Sequence, residues 1–164
     1  MGTKQSPSRL TTAVGVRILR TRALVRAPIW VYRARLGFLF GSRLLMLEHT
    51  GRATGIPRQV VLEVIDHPDP DTYVVASGFG RRAQWFRNVR ANPRVRVQVR
   101  GRGPRPATAR VLGPGEAGRV LAAYRRRHPR AWDRFRPVLE ETLGEHIGET
   151  DPVLPMVELR LDPA

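Results

Sequence analysis

Leu44-Leu-Met-Leu-Glu-His49, Thr50-Gly-Arg-Ala-Thr-Gly55 and Arg58-Gln-Val-Val-Leu-Glu-Val-Ile-Asp66 follow one another closely, and their reading decides the fold. The first stretch is an apolar run of strand length. The third alternates around Val60, Leu62 and Val64, the pattern of a half-buried strand. Between them two glycines frame a small polar stretch, the composition of a turn. His67-Pro-Asp-Pro-Asp71 reads as a tight turn, so Arg58–Asp66 and Thr72–Ala76 form a hairpin.

Downstream, the third strand ends in Ser77-Gly-Phe-Gly80, and residues 83–92 read as a short helix closed by Pro93. Val95, Val97 and Val99 alternate with Arg96, Gln98 and Arg100, which predicts a strand with one wet face. A turn over 101–104 leads to a fifth strand at 106–112. Helices are predicted over 114–127 and 131–143, and a last strand over 153–161. Short connections between six strands argue for an α+β fold: an antiparallel sheet curled into a barrel, with helices outside. Upstream, residues 1–11 read as a polar, disordered tail. Residues 12–26 read as an amphipathic basic helix, interrupted by Pro28, with a second short helix over 29–36. The predicted organisation is a basic tail and helix over 1–27 and a barrel domain over 28–164. The basic stretch 12–36 admits two uses: peripheral contact with an anionic membrane, or a helix covering one end of the core.

The chain has 164 residues, enough for one domain with a real core. It has no Cys, which excludes a disulfide scaffold, a Cys-ligated metal and a thiol nucleophile. No apolar run approaches the roughly 18–20 residues of a membrane span, and the N-terminus lacks the apolar stretch of a signal peptide. These features predict a cytoplasmic protein, with membrane association through 12–36 as the variant. Lys plus Arg is 29 against 14 acids, a net charge of +15, and Lys4 is the sole lysine. G/C-rich coding gives the same Arg bias, so the distribution carries more than the total. Residues 1–60 hold 11 cations and one acid, 61–110 hold 10 and 4, and 111–164 hold 8 and 9. An anionic ligand therefore belongs with the first two thirds of the chain.

Several chemistries lack their residues. His49, His67, His128 and His146 have no metal-ligand spacing, so no metal is predicted. There is no phosphate-loop lysine motif, no nucleophile elbow and no dinucleotide fingerprint. Glu140 and Glu141 are neighbours on different helix faces and read as solvated. An enzyme so equipped would rely on a bound cofactor for its chemistry.

Two turns remain. Thr50-Gly-Arg-Ala-Thr-Gly55 with Arg58 offers guanidinium groups, hydroxyls and backbone N–H groups freed by glycine, suitable for phosphate or carboxylate. An ordinary β-turn with charged tips has the same composition. Ser77-Gly-Phe-Gly-Arg-Arg82 leads into a helix with Trp85 and Asn88 on one face. That face suits a flat heterocycle, and it equally suits a core Trp beside an exposed Asn.

Leu47-Glu-His-Thr-Gly-Arg-Ala-Thr-Gly-Ile-Pro-Arg58, Val75-Ala-Ser-Gly-Phe-Gly80, Trp85-Phe-Arg-Asn88 and Ala91-Asn-Pro-Arg94-Val-Arg-Val-Gln-Val99 form an ordered series. The series resembles the deazaflavin (coenzyme F-420)-dependent nitroreductase family, from about Pro28 to the C-terminus. The resemblance implies an FMN-binding-like split β-barrel of six antiparallel strands, here with an N-terminal helical extension. It implies an actinobacterial oxidoreductase in which reduced coenzyme F-420 gives a hydride to a small-molecule acceptor, a quinone or nitroaromatic. It carries the coenzyme's phosphate and polyglutamate tail onto Gly51, Arg52, Thr54, Gly55 and Arg58. Its ring system falls along Ala76, Ser77, Gly78 and Gly80, with Trp85 and Asn88 from the helix. Ser77 is the candidate proton donor. Tyr124, Trp132 and Phe135 are candidates for the substrate side, and core packing accounts for them equally well. The family commonly has Lys where this chain has Ala53, and its best-known members have Lys at the position of Gly78; Arg81 and Arg82 stand close to the second.

Other functions stay open at this level. The same fold can bind FMN or a similar ligand without catalysis. A basic protein can bind nucleic acid, although no recognition helix or stacking sheet marks this one and no specific nucleic acid is predicted. The oligomeric state is a monomer or a homodimer.

Overall fold

The computed structural model describes residues 43–148 and 154–163. Six strands form a closed antiparallel barrel: β1 (Leu44–Thr50), β2 (Pro57–Asp69), β3 (Thr72–Ala76), β4 (Arg94–Val99), β5 (Arg105–Val111) and β6 (Met156–Leu161). Their order around the barrel is β1-β2-β3-β6-β5-β4, with β4 returning to β1. Closure removes the free sheet edges. Among the described residues three α-helices accompany the barrel: α1 (Gln84–Ala91), α2 (Pro114–Arg127) and α3 (Pro129–Leu143).

The period-two pattern builds the interior. Leu45 and Leu47, Tyr73 and Val75, Val95 and Val97, Ala107 and Ala109, and Val157 and Leu159 share one buried cluster. Trp85, Phe86 and Val89 of α1 join it, so α1 packs into the barrel core. The alternate residues face out. Val74 and Met156 belong to a second buried cluster with Leu121, Tyr124 and Trp132, which seats α2 and α3 on the outer wall. Two layers of burial on opposite faces explain why β3 reads as a continuous apolar run.

The hairpin turn is shorter than the sequence suggests. β2 runs through His67, Pro68 and Asp69, with register shifts after Val64 and after Asp66. Bulges of this kind absorb a proline inside a strand. His67 stacks on Tyr73 at 4.2 Å, and Asp69 Oδ1 accepts the Asp71 N–H at 2.9 Å, so the turn itself is Pro70–Asp71. β4 is not wet along its whole outer face: Arg94 and Arg96 are exposed, but Gln98 is buried. Glu140 is not simply solvated. Its Oε1 accepts from Arg136 at 3.0 Å and from the Ile147 N–H at 3.0 Å, which pins the end of α3. The helices predicted over 12–26 and 29–36 lie outside the described residues, as does the boundary at 27/28. Among the described residues no helix is long and apolar enough to cross a membrane.

Candidate functional site

The β1–β2 connection is a compact, self-bonded turn. Gly51 N–H donates to Ile56 O at 2.9 Å, Gly55 N–H to Gly51 O at 2.7 Å, and Ile56 N–H to Thr54 Oγ1 at 3.3 Å. Gly55 has φ of +67°, a conformation that favours glycine. A Cβ on Gly51 would meet Thr54 Oγ1 at 2.7 Å and Arg58 Nε at 3.2 Å, so glycine is needed there for space. The N–H groups of Gly51, Arg52, Thr54, Gly55 and Ile56 are thus all engaged, four within the turn and that of Arg52 with Asn88. The glycines do not free backbone donors as the sequence suggested. They let the turn close on itself, and anion recognition falls to side chains.

Arg52 and Arg58 are those side chains. Both are exposed, and no carboxylate occurs between Thr50 and Arg58. This set fits a ligand carrying phosphate or several carboxylates. Arg52 is held from α1: its Nη1 donates to Gln84 Oε1 and to Asn88 Oδ1, both at 2.9 Å, and its N–H donates to the same Oδ1 at 3.1 Å. The first turn and the Trp85/Asn88 helix therefore meet at Arg52. Asn88 is buried, and its Nδ2 donates to Nδ1 of buried His49 at 3.2 Å. Burial pushes the His49 imidazole down to about 4; the Arg58 charge adds to the shift and Glu48 opposes it. His49 is neutral at pH 7.

The helix face with Trp85 and Asn88 is turned inward. Trp85 sits in the barrel core, edge-on to Phe86 at 5.9 Å. Ser77 is fully buried, and its hydroxyl donates to Gly80 O at 2.7 Å. That bond closes the Ser77–Gly80 turn and occupies the proton that an exposed donor would offer. A short 3-10 turn, Gly80–Arg82, separates it from α1. Leu139 and Leu143 of α3 pack on this turn, 3.2 and 3.0 Å from where Cβ atoms on Gly78 and Gly80 would stand. A lysine at position 78 would have to push Leu139 aside, which accounts physically for glycine there. Exposed Arg81 and Arg82 line a cleft of about 500 Å³ with Phe79, Val111, Leu143 and Leu154. The cleft shares Gly80 with the predicted site and none of Gly51–Arg58.

The aromatic candidates separate. Trp132 is buried in the outer cluster under the Arg125 guanidinium, while Phe135 is exposed. Tyr124 is buried and donates to Glu63 Oε1 at 3.3 Å. Burial raises the Glu63 carboxyl above the usual carboxylate range, against the Tyr124 hydrogen bond, and pushes the Tyr124 hydroxyl up to about 12. Glu63 and Ala76 follow directly on the Val64–Val75 pair, and Ala76 packs in the cluster that holds Tyr124. Glu63 lies roughly 17 Å along β2 from Arg58. The predicted residues thus form two separate groups: Arg52 and Arg58 at the start of β2, and Ala76 and Tyr124 farther on in the outer cluster, on the opposite face of the strand from Val60, Leu62 and Val64.

His49, Gln84 and Glu63 were not singled out by sequence. A signal existed for His49: Leu45, Leu47 and His49 share the inward face of β1, and a polar group on a core face requires a partner.

A family model described as F420H(2)-dependent quinone reductase matches residues 24–137. No curated protein gives a match. Similar solved structures include an "F420-H2 Dependent Reductase", 22% identical, covering 72% of this chain and 94% of its own, with a TM-score of 0.50. A structure described as a domain-swapped dimer is 19% identical over 82% of this chain and 100% of its own, with a TM-score of 0.51. A putative pyridoxamine 5'-phosphate oxidase from Listeria innocua is 14% identical over 81% and 94%, with a TM-score of 0.52. At these identities the structures support the fold, a split barrel.

Proposed function

Because the chain belongs to the family of quinone reductases dependent on reduced coenzyme F-420, we propose that Arg52 and Arg58 hold the coenzyme's anionic tail, with Ala76 and Gly78 along its ring system. The enzyme is an oxidoreductase, and the bound coenzyme supplies a hydride. The observation that carries the assignment is the pair of exposed guanidinium groups on a turn without carboxylates, one of them fixed from α1.

The chain's own residues do the positioning. Gly51 and Gly55 shape the turn, and Asn88 holds Arg52. Trp85 supports α1 from within the core, and Ser77 closes its own turn. Tyr124, raised to about 12, keeps its hydroxyl proton at neutral pH and holds it on Glu63. Proximity and orientation carry the acceleration, and with the Ser77 hydroxyl held on Gly80 O, solvent supplies the proton that completes reduction of the acceptor. A quinone is the acceptor that the family description supports, and a homodimer is the assembly that the domain-swapped relative supports.

The test is a parallel fluorescence titration with oxidised coenzyme F-420 and FMN. The wild type is expected to prefer the deazaflavin. Arg52→Ala and Arg58→Ala should each weaken its binding by roughly 1–3 kcal/mol, the scale of a hydrogen bond between charged groups. An unchanged dissociation constant in both variants would remove the turn from the site, and preference for FMN would reassign the cofactor.

A further inference from the structure

We propose that His49 is a positioning residue: its neutral imidazole fixes the Asn88 carboxamide, and Asn88 fixes Arg52 in the orientation that receives the coenzyme's anionic tail. The proposal rests on the assignment of Arg52 above. His49 is 5% exposed and Asn88 is 3% exposed, so neither presents its polar atoms to a ligand, and both act through Arg52.

The hydrogen-bond pattern has only one consistent arrangement. Asn88 faces two donors of Arg52, the N–H at 3.1 Å and Nη1 at 2.9 Å, so its oxygen must point to Arg52. Its NH2 then points to His49 Nδ1 at 3.2 Å, which must accept. The proton of the neutral ring is therefore on Nε2. An imidazolium would put an N–H at Nδ1 against the Asn88 N–H. If the amide turned over to satisfy it, its NH2 would face the two Arg52 donors. Protonating His49 thus either sets two N–H groups against each other at Asn88 or, if the amide turns over, costs Arg52 its bonds to Asn88.

The charged groups around the imidazole act on its protonation in opposite senses. Arg58 stands opposite His49 in the β1–β2 register and opposes a second positive charge. Glu48 is next in sequence and favours it, but Glu48 also accepts from Gln59 Nε2 at 3.2 Å. From α1 the group that faces the ring is the uncharged Asn88, with Arg52 behind it. A ligand-binding arginine is thereby supported by a buried neutral acceptor, which positions the guanidinium without neutralising it. A carboxylate in place of His49 or Asn88 would compete with the coenzyme for that charge.

Three measurements test this. In the wild-type protein without ligand, nitrogen NMR of the His49 ring is expected to give the Nε2–H tautomer at pH 7; an Nδ1–H tautomer would overturn the proposal without any variant. His49→Leu is expected to shift the Arg52 amide resonance and to weaken binding of oxidised coenzyme F-420 about tenfold. His49→Gln keeps an acceptor and should restore binding to within about threefold of wild type. Wild-type affinity in folded His49→Leu, alongside a loss in Arg52→Ala, would overturn the positioning role alone. Wild-type affinity in both would overturn it together with the assignment of Arg52, and the Arg52→Ala control shows which failed.

Discussion

Phe86→Ala is expected to lower the free energy of unfolding by about 3–5 kcal/mol, the range for removing a fully buried aromatic ring. Phe86 is 0% exposed, lies edge-on to Trp85 and is packed among the inward side chains of the barrel. The reason for a large effect is the helix that carries it. α1 has 8 residues, fewer than the roughly 12–15 at which an isolated helix becomes marginal in water. It has no side-chain cap at its N-terminus. Burial of Trp85, Phe86 and Val89 therefore holds it in place. Asn88 belongs to the same helix, so loosening α1 also loosens Arg52. Chemical denaturation gives the stability change, and coenzyme titration of the folded variant gives the second effect. A loss below about 1 kcal/mol would mean that the ring does not seat the helix.

Acidification is expected to remove on the order of 2–3 kcal/mol of stability through His49 alone, between about pH 7 and pH 4. The sign follows from the two states. Unfolded histidine binds its proton near 6.5, whereas buried His49 does so only near 4. Between those values unfolding takes up a proton, so stability falls as pH falls. Above the unfolded value the contribution is complete, and below the folded value it is gone. Glu63, raised by burial, also takes up its proton toward this range, whereas hydrogen bonds lower Asp69 and Glu116 and move their protonation to more acid pH. They are common to wild type and His49→Gln, so the difference between the two isolates the histidine. His49→Gln should lose less stability than wild type over this window. Parallel pH profiles would show that His49 ionises as easily folded as unfolded.

The barrel was legible because its code is simple. Six alternating or apolar runs gave six strands, and each predicted strand overlaps an observed one. What escaped depends on neighbours that a linear pattern does not contain. Pro68 argued for a turn, but bulges in β2 let the strand pass through it. Gln98 looked wet because it is polar, yet its position in β4 is covered. The glycines of the β1–β2 turn marked the correct place and suggested the wrong donors, since hydrogen bonds within the turn and to Asn88 consume the N–H groups. Trp85 and Asn88 were correctly placed on one helix face, and only the tertiary structure turns that face inward. Ser77 looked available because serine usually is; its hydroxyl is spent on Gly80. The link from His49 through Asn88 to Arg52 joins residues 39 and 36 positions apart, beyond the reach of any local spacing.

Coenzyme turnover tests the central claim most directly. Reduced coenzyme F-420 is mixed anaerobically with a quinone such as menadione, with and without the protein, and reoxidation of the deazaflavin is followed by its returning fluorescence. Reoxidation that scales with wild-type protein concentration and falls in Arg52→Ala is the predicted result. A rate equal to the protein-free control, with no binding of either redox form, would contradict the account.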